Sequence, residues 1–320
     1  MSQHWSAIAE RGNQFGIQFL LQVYKLFGKW LLKLLLIPVI CYFYLTDKRS
    51  RRASLQFLRR AYQCSQHSPF KSCPGFRQGL KHFFSFGFAA LDKIDSWLGQ
   101  ISSQQISYHN YPLFESLISQ RKGAVFIGSH LGNLEVCRAL GQRQYPIRIN
   151  VLVHTHHAEA FNKMLKQVSD EVDLNLIQVT TIGPDIAILL KERIEQGEFV
   201  VIVGDRTPIN NPGRISLVDF MGKQAPFSQG PMILASLLDC PVYLLFCMKQ
   251  KAGYKIIFEP FAEPALPLPR KDRHRLLDVY CQQYANRLAH YAGLYPYQWY
   301  NFFDFWQHDV APDKQDNKAV

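Results

Sequence analysis

Acidic residues are scarce in the first third of the chain, and that shortage narrows the function classes. Of 320 residues, 36 are Lys or Arg and 25 are Asp or Glu, a formal net charge of +11. Residues 1–100 hold 14 basic against 4 acidic residues, whereas residues 101–320 hold 22 against 21, so nearly all the excess lies in the leader. A nucleic-acid-binding surface would interleave such charge with isolated aromatics and glycines. Here it alternates with long aliphatic side chains, which excludes nucleic acid as the expected partner. Cysteine is sparse as well. The seven, at positions 41, 64, 73, 137, 240, 247 and 281, form no CxxC pair and no dense cluster. Neither a disulfide framework nor a structural zinc site is expected, and a reduced compartment fits best. Internal repeats and low-complexity tracts are absent, and only the polar last ten or so residues read as disordered. No small-residue cleavage site follows the basic lead that contains Glu10, so a removed signal peptide is not expected.

What the leader does have is a lipid-directed composition. Lys25, Lys29 and Lys33 recur every four residues among Phe19, Leu20, Leu21, Tyr24, Leu26, Phe27, Trp30, Leu31, Leu32, Leu34 and Leu35. That spacing predicts a basic stripe set among headgroups, with apolar groups at the acyl boundary. Leu34 to Leu45 is a charge-free run of 12 residues, interrupted by Pro38 and followed by Lys48, Arg49, Arg51, Arg52, Arg59 and Arg60. A spanning helix needs ~20 apolar residues. The segment is therefore read as attached in the plane of a membrane surface or as re-entrant, with a single spanning anchor and a helix packed on the catalytic domain as the alternatives. The organisation expected is a helical leader over 1–100, a catalytic domain over 101–306 and a polar tail over 307–320.

Short apolar runs separated by helical patterns predict an α/β fold: a mostly parallel central sheet flanked by helices, preceded by the membrane-associated helical leader. Strands are expected at 123–129, 147–153, 174–179, 199–203, 215–220, 241–248 and 254–260. Helices are expected at 158–170, 185–196, 231–238 and 270–292.

At the end of the first of these strands stands His130-Leu131-Gly132-Asn133-Leu134-Glu135. In open α/β sheets ligands bind beyond the carboxyl ends of the strands, which places His130 for chemistry. Gly132 and Asn133 are turn and cap residues, so Glu135 falls in the first turn of the following helix. If the chain folds back, the carboxylate can accept the Nδ1 proton of a neutral imidazole and leave Nε2 free to take another. Gly128-Ser129-His130 lacks the spacing of a G-x-S-x-G nucleophile elbow, so the expected proton source is a substrate hydroxyl and no covalent enzyme intermediate is needed. The strand at 199–203 delivers Asp205 and Arg206 to the same edge. Asp205 could hold an acceptor headgroup or orient His130, and Arg206 could pair with a phosphopantetheine or steady an oxyanion. Gly222, Ser228, Gln229 and Gly230 read as a loop before a helix whose N-terminal amides could receive an anion.

The segment Gly128 to Glu135 resembles the H-x4-D/E block of the lysophospholipid acyltransferase superfamily, in particular the Kdo-lipid A acyltransferase branch with its lauroyl and myristoyl transferases. Val200-Val201-Ile202-Val203-Gly204-Asp205-Arg206 resembles that family's strand ending in Asp, and Asp219 to Pro231 its F-x-G … G-P segment. The opening Trp5 to Gly12 is similar to a divergent subgroup of predicted acyltransferases, and the likeness spans roughly residues 1 to 306. It implies transfer of an acyl chain from a carrier thioester, acyl carrier protein or acyl-CoA, to a lipid or glycolipid hydroxyl. It also implies residence at the cytoplasmic face of the inner membrane, no cofactor and no metal. His130 and Glu135 would be catalytic, with Asn133, Asp205, Arg206, Gly222, Ser228 and Gly230 binding substrate. One stretch departs from the pattern: where the lipid A enzymes carry an Arg-bearing segment, this chain reads Val153-His154-Thr155-His156-His157-Ala158-Glu159. An acceptor other than a phosphorylated glucosamine disaccharide is thereby left open, since phosphate recognition favours guanidinium forks. The same stretch suggests a rival, a metal-dependent hydrolase using His154, His156 and His157. A non-catalytic membrane adaptor on the same fold is the third reading.

Overall fold

The run expected to open the sheet forms as β2 (Ala124–Gly128), and every one of its residues is buried. Its apolarity is continuous because both faces are covered: Val125 and Ile127 pack into one core, Ala124 and Phe126 into the other. The computed structural model describes residues 14–65, 68–138, 148–153, 176–178, 183–207 and 213–306. Within these, β1 (Ile106–His109), β2, β3 (Ile149–Val153), β4 (Leu176–Gln178), β5 (Phe199–Val203), β8 (Val242–Gln250) and β9 (Gly253–Ala262) make a seven-stranded sheet in the order β1-β9-β8-β2-β5-β3-β4. Neighbours pair in parallel except β8 and β9. Helices α4 (Tyr111–Ser119), α5 (Pro184–Glu195), α6 (Gly230–Leu238) and α7 (Arg273–Leu294) accompany the sheet. The expected mostly parallel α/β class is thus what the chain adopts.

Two expectations change. The strand at 215–220 leaves the main sheet and pairs as β6 (Ile215–Phe220) with β7 (Lys223–Ser228) in a separate antiparallel hairpin. Residues read as loop, from Gly222 to Ser228, are that hairpin's turn and second strand. The predicted helix at 158–170 lies outside the described residues, as do His154, His156 and His157 and the tail from 307 onward.

The leader folds as α1 (Gln14–Thr46), α2 (Lys48–Cys64) and α3 (Phe76–Trp97). Gly28, at φ 73, kinks α1. Asp47 caps α2 by accepting from the backbone N–H of Arg49 and Ser50 at 3.1 and 3.0 Å. The helix α1 lies along α3, where Gly79 and Gly87 make room for it: a Cβ at either would stand 2.5 Å from Tyr44 Oη or Ile40 Cδ1. Two lysines of the basic stripe, Lys29 and Lys33, face differently from expectation. Lys29 turns toward α3, pairing with Asp92 at 2.9 Å and with Asp95, while Lys33 lies over the rings of Trp30 and Phe88. What α1 shows outward is apolar: Leu26, Trp30, Leu34, Ile37, Tyr42 and Leu45 are all exposed. The reason is electrostatic, because Asp92 and Asp95 sit on α3 and draw Lys29 inward.

Candidate active site

Because β2 has parallel partners on both sides, β5 and β8, its carboxyl end opens at the middle of the sheet edge, and His130 stands two residues beyond it. The bend there is held tightly. Gly132, at φ 79, approaches the Cys247 carbonyl so closely that a Cβ would overlap it. Its amide donates to Gln298 O at 2.8 Å, and the Asn133 amide donates to Cys247 O at 2.8 Å. Gly128 O, at the end of β2, accepts from Gly204 N at 3.0 Å and from Tyr284 Oη at 2.7 Å, which joins the ends of β2 and β5 to α7.

That junction brings Asp205 beneath His130. The His130 amide donates to Asp205 Oδ2 at 2.9 Å, and His130 Nδ1 lies 2.7 Å from Asp205 Oδ1. Asp205 is fully buried, whereas the His130 side chain is 32% exposed. The exposed edge of the ring is therefore the Nε2 edge. Two further donors reach the carboxylate from the segment after α7: Trp299 Nε1 at 2.9 Å and Asn301 Nδ2 at 3.2 Å, both to Oδ2. The same segment braces the imidazole from its backbone, since Tyr300 N donates to His130 O at 2.9 Å. Trp299 is itself anchored on the leader. Its carbonyl accepts from His82 Nε2 at 2.9 Å, His82 Nδ1 accepts from Ser54 Oγ at 2.9 Å, and Phe57 packs edge-on against the indole with centroids 4.6 Å apart.

The electrostatics favour a neutral base on an ionised carboxylate. Burial, followed by the charge of Arg206, holds the His130 pKa below its ordinary 6.5; Asp205 opposes this and Lys93 adds to it. Burial alone would raise Asp205, but the imidazole and the amide and indole donors outweigh it and hold the carboxyl below its usual 3.8. Near neutral pH the Nδ1 proton therefore points at Asp205 and the Nε2 lone pair is available. Arg206 lies over the ring of Phe303, 5.6 Å from its centroid.

The carboxylate at His130 Nδ1 is thus that of Asp205, and Glu135, expected to fold back to His130, pairs elsewhere. Residues 134–138 continue as a helical turn, which carries Glu135 away from Nδ1 and toward Arg138 one turn on, whose Nη2 lies 2.6 Å from Glu135 Oε2. Asn133 is buried, and its side-chain amide donates to Ala89 O at 3.0 Å, so it ties the bend to α3. Gly222 sits at the hairpin turn with φ 74, against Cys64 at the end of α2. Ser228 Oγ accepts from the Gly230 amide at 3.2 Å and so caps α6. Turn and capping duties account for the spacing of these three. The strap formed by Trp299, Tyr300 and Asn301, and the His82 and Ser54 anchor beneath it, were not singled out from sequence. Their partners lie from 28 to 217 positions away, separations that local spacing does not encode.

A partly exposed imidazole backed by a buried carboxylate at the carboxyl edge of a parallel sheet is an arrangement found in transferases and hydrolases alike. The family settles which. Residues 78–293 match the model of the bacterial lipid A biosynthesis acyltransferases, and the chain belongs to that family. It is an acyltransferase that moves an acyl group from a donor to a lipid acceptor. The match begins within α3, leaving α1 and α2 outside the matched segment. Comparison with curated proteins gives no match.

Proposed function

We propose that His130 is the general base of a direct acyl transfer and that Asp205 orients it. The acceptor is a hydroxyl of a lipid or glycolipid, and the donor is a carrier thioester, acyl carrier protein or acyl-CoA. Nε2 of His130 removes the hydroxyl proton as the oxygen attacks the thioester carbonyl. The ester C–O bond forms, the C–S bond breaks, and the departing thiolate takes the proton back from the imidazolium. Asp205 stabilises that imidazolium and fixes the tautomer that makes Nε2 basic. Arg206, next in sequence, adds positive charge where negative charge develops on the carbonyl oxygen. The observation that carries the reading is the 2.7 Å contact between His130 Nδ1 and the fully buried Asp205.

The surroundings support a lipid acceptor met at a membrane. Gly28–Thr46 is long and apolar enough to cross a bilayer and turns a broad apolar face outward. The exposed ring of Phe86 on α3 stands 5.5 Å from that of Tyr300, the residue whose amide holds His130. This gives an apolar approach from the leader toward the base. We place the chain at the cytoplasmic face of the inner membrane, where carrier thioesters are available. The test is to incubate membranes from expressing cells with labelled acyl carrier protein and, separately, labelled acyl-CoA, with extracted lipids as acceptors. Label should pass to lipid with the wild-type chain and not with His130→Ala. A stable acyl group trapped on a Ser or Cys of the wild-type chain would refute direct transfer.

A further inference from the structure

We propose that α1 is a one-sided membrane attachment: it lies in a single leaflet, and its two ends stay on the same side of the bilayer. The inference extends the reading of the chain as a membrane-bound acyltransferase to the manner in which it sits on the lipid.

The argument starts from where the two ends of the apolar stretch are fastened. Near one end, Lys29 pairs with Asp92 and Asp95 on α3, and Asp92 also pairs with Lys249 of β8. Tyr24 Oη, a turn earlier, donates to Asp95 as well. At the other end, Arg51 of α2 donates to the carbonyls of Tyr44 and Leu45 at 2.5 and 2.8 Å, and Tyr44 Oη donates to Phe76 O at 2.7 Å. Between the ends, Leu32 packs with Leu91, and Ile40 and Tyr44 pack with Phe83 over Gly87 and Gly79. The contact with α3 thus runs along the whole of Gly28–Thr46, 19 residues, which is about 28 Å of helix.

A helix so bound cannot cross a bilayer alone. If α1 stood upright in the hydrocarbon, α3 would stand beside it, carrying the exposed Arg77 and Lys81 and the Asp92 and Asp95 pair to bilayer depth. Through α3, His82 and Trp299 would draw the sheet edge in as well. Laid flat, the same helix meets every requirement. Its outward arc, Leu26, Trp30, Leu34, Ile37 and Leu45, enters the acyl region. Exposed Lys48 and Arg52, at the start of α2, stand at headgroup level beside it. The occupant of this face is therefore one leaflet. In that placement the exposed ring of Phe86, packed against Tyr300, leads from the lipid surface toward His130.

The experiment uses the full chain in two forms, one with an epitope before Met1 and one with an epitope after Val320. Each is exposed to protease in intact spheroplasts and in inverted membrane vesicles, and lipid acylation is assayed in the same vesicles. In-plane attachment predicts that both epitopes are digested in inverted vesicles and both survive in spheroplasts. Digestion of the Met1 epitope in spheroplasts, with the Val320 epitope digested only in inverted vesicles, would show a crossing helix and overturn the proposal. Failure of the chain to sediment with membranes would overturn it together with the membrane reading. Same-side epitopes without lipid acylation would uphold the attachment and refute the acyl-transfer function alone.

Discussion

At the sheet edge, Asp205 is buried beneath His130; on α3, Asp92 and Asp95 are buried beneath Lys29 and against Lys249. Both clusters set buried carboxylates against basic groups, and they differ in what is left over. On α3 both acids have a lysine partner, and charges satisfied in this way hold two helices and a strand together. At the sheet edge the carboxylate is satisfied by an indole, an amide and one side of an imidazole, and the other side of that ring stays open. Burial with complete pairing makes a fastening. Burial with one open lone pair leaves a ring able to take a proton.

The comparison can be broken at each cluster. His130→Ala removes the base and should lower acyl transfer by ~10² to 10⁴-fold with folding intact, read as label transferred to lipid and as thermal midpoint. The next largest effect concerns acid stability. Burial depresses the His82 pKa from 6.5 to about 4, so the folded chain resists a proton that the unfolded chain accepts. Stability is complete above about pH 6.5 and is lost as the pH falls toward 4, by roughly 3 kcal/mol in full. A His82→Gln chain should show a flatter fall in thermal midpoint across that window. Asp92→Asn should cost roughly 1–3 kcal/mol of stability, because it leaves Lys249 and half the hold on Lys29 unpaired, while the pH dependence of turnover stays unchanged. Trp299→Phe removes one donor from Asp205 and should lower turnover about tenfold, near 1.4 kcal/mol. Its more telling signature is the pH profile. In the wild type, activity should fall as the pH drops through the depressed His130 pKa, below 6.5. With a more basic carboxylate beneath it the imidazolium is stabilised, so that limb should move to higher pH in Trp299→Phe. A profile shifted by Asp92→Asn and untouched by Trp299→Phe would reverse the roles assigned to the two clusters.

What was legible in the sequence follows the range of the interactions involved. The strand ending at Gly128, the turn at Gly132 and the arrival of Asp205 at the same edge are local patterns, and periodicity with turn chemistry is enough to read them. The pairing of carboxylates is not local. From spacing alone Glu135 was the natural partner of His130, five positions away. The partner is instead 75 positions away, because β5 lies beside β2 in the sheet and the strap after α7 supplies the donors that keep Asp205 ionised. The orientation of Lys29 in α1 is illegible for the same reason. A lysine every four residues signals a face but not what covers it, and the acids that draw Lys29 inward lie more than sixty residues on. Gly222, Ser228 and Gly230 carried a real signal of turn and cap, which the hairpin and α6 use locally.

The most direct test sets the two candidate orienters side by side, by measuring initial rates of acyl transfer to lipid for Asp205→Asn and Glu135→Gln in matched membranes. The account predicts that Asp205→Asn loses activity by about the factor that removal of the base itself costs, and that Glu135→Gln, which breaks an ion pair with Arg138, loses markedly less. Equal or greater loss in Glu135→Gln, with Asp205→Asn near wild type, would contradict it and return the orienting role to the acid five residues along the chain.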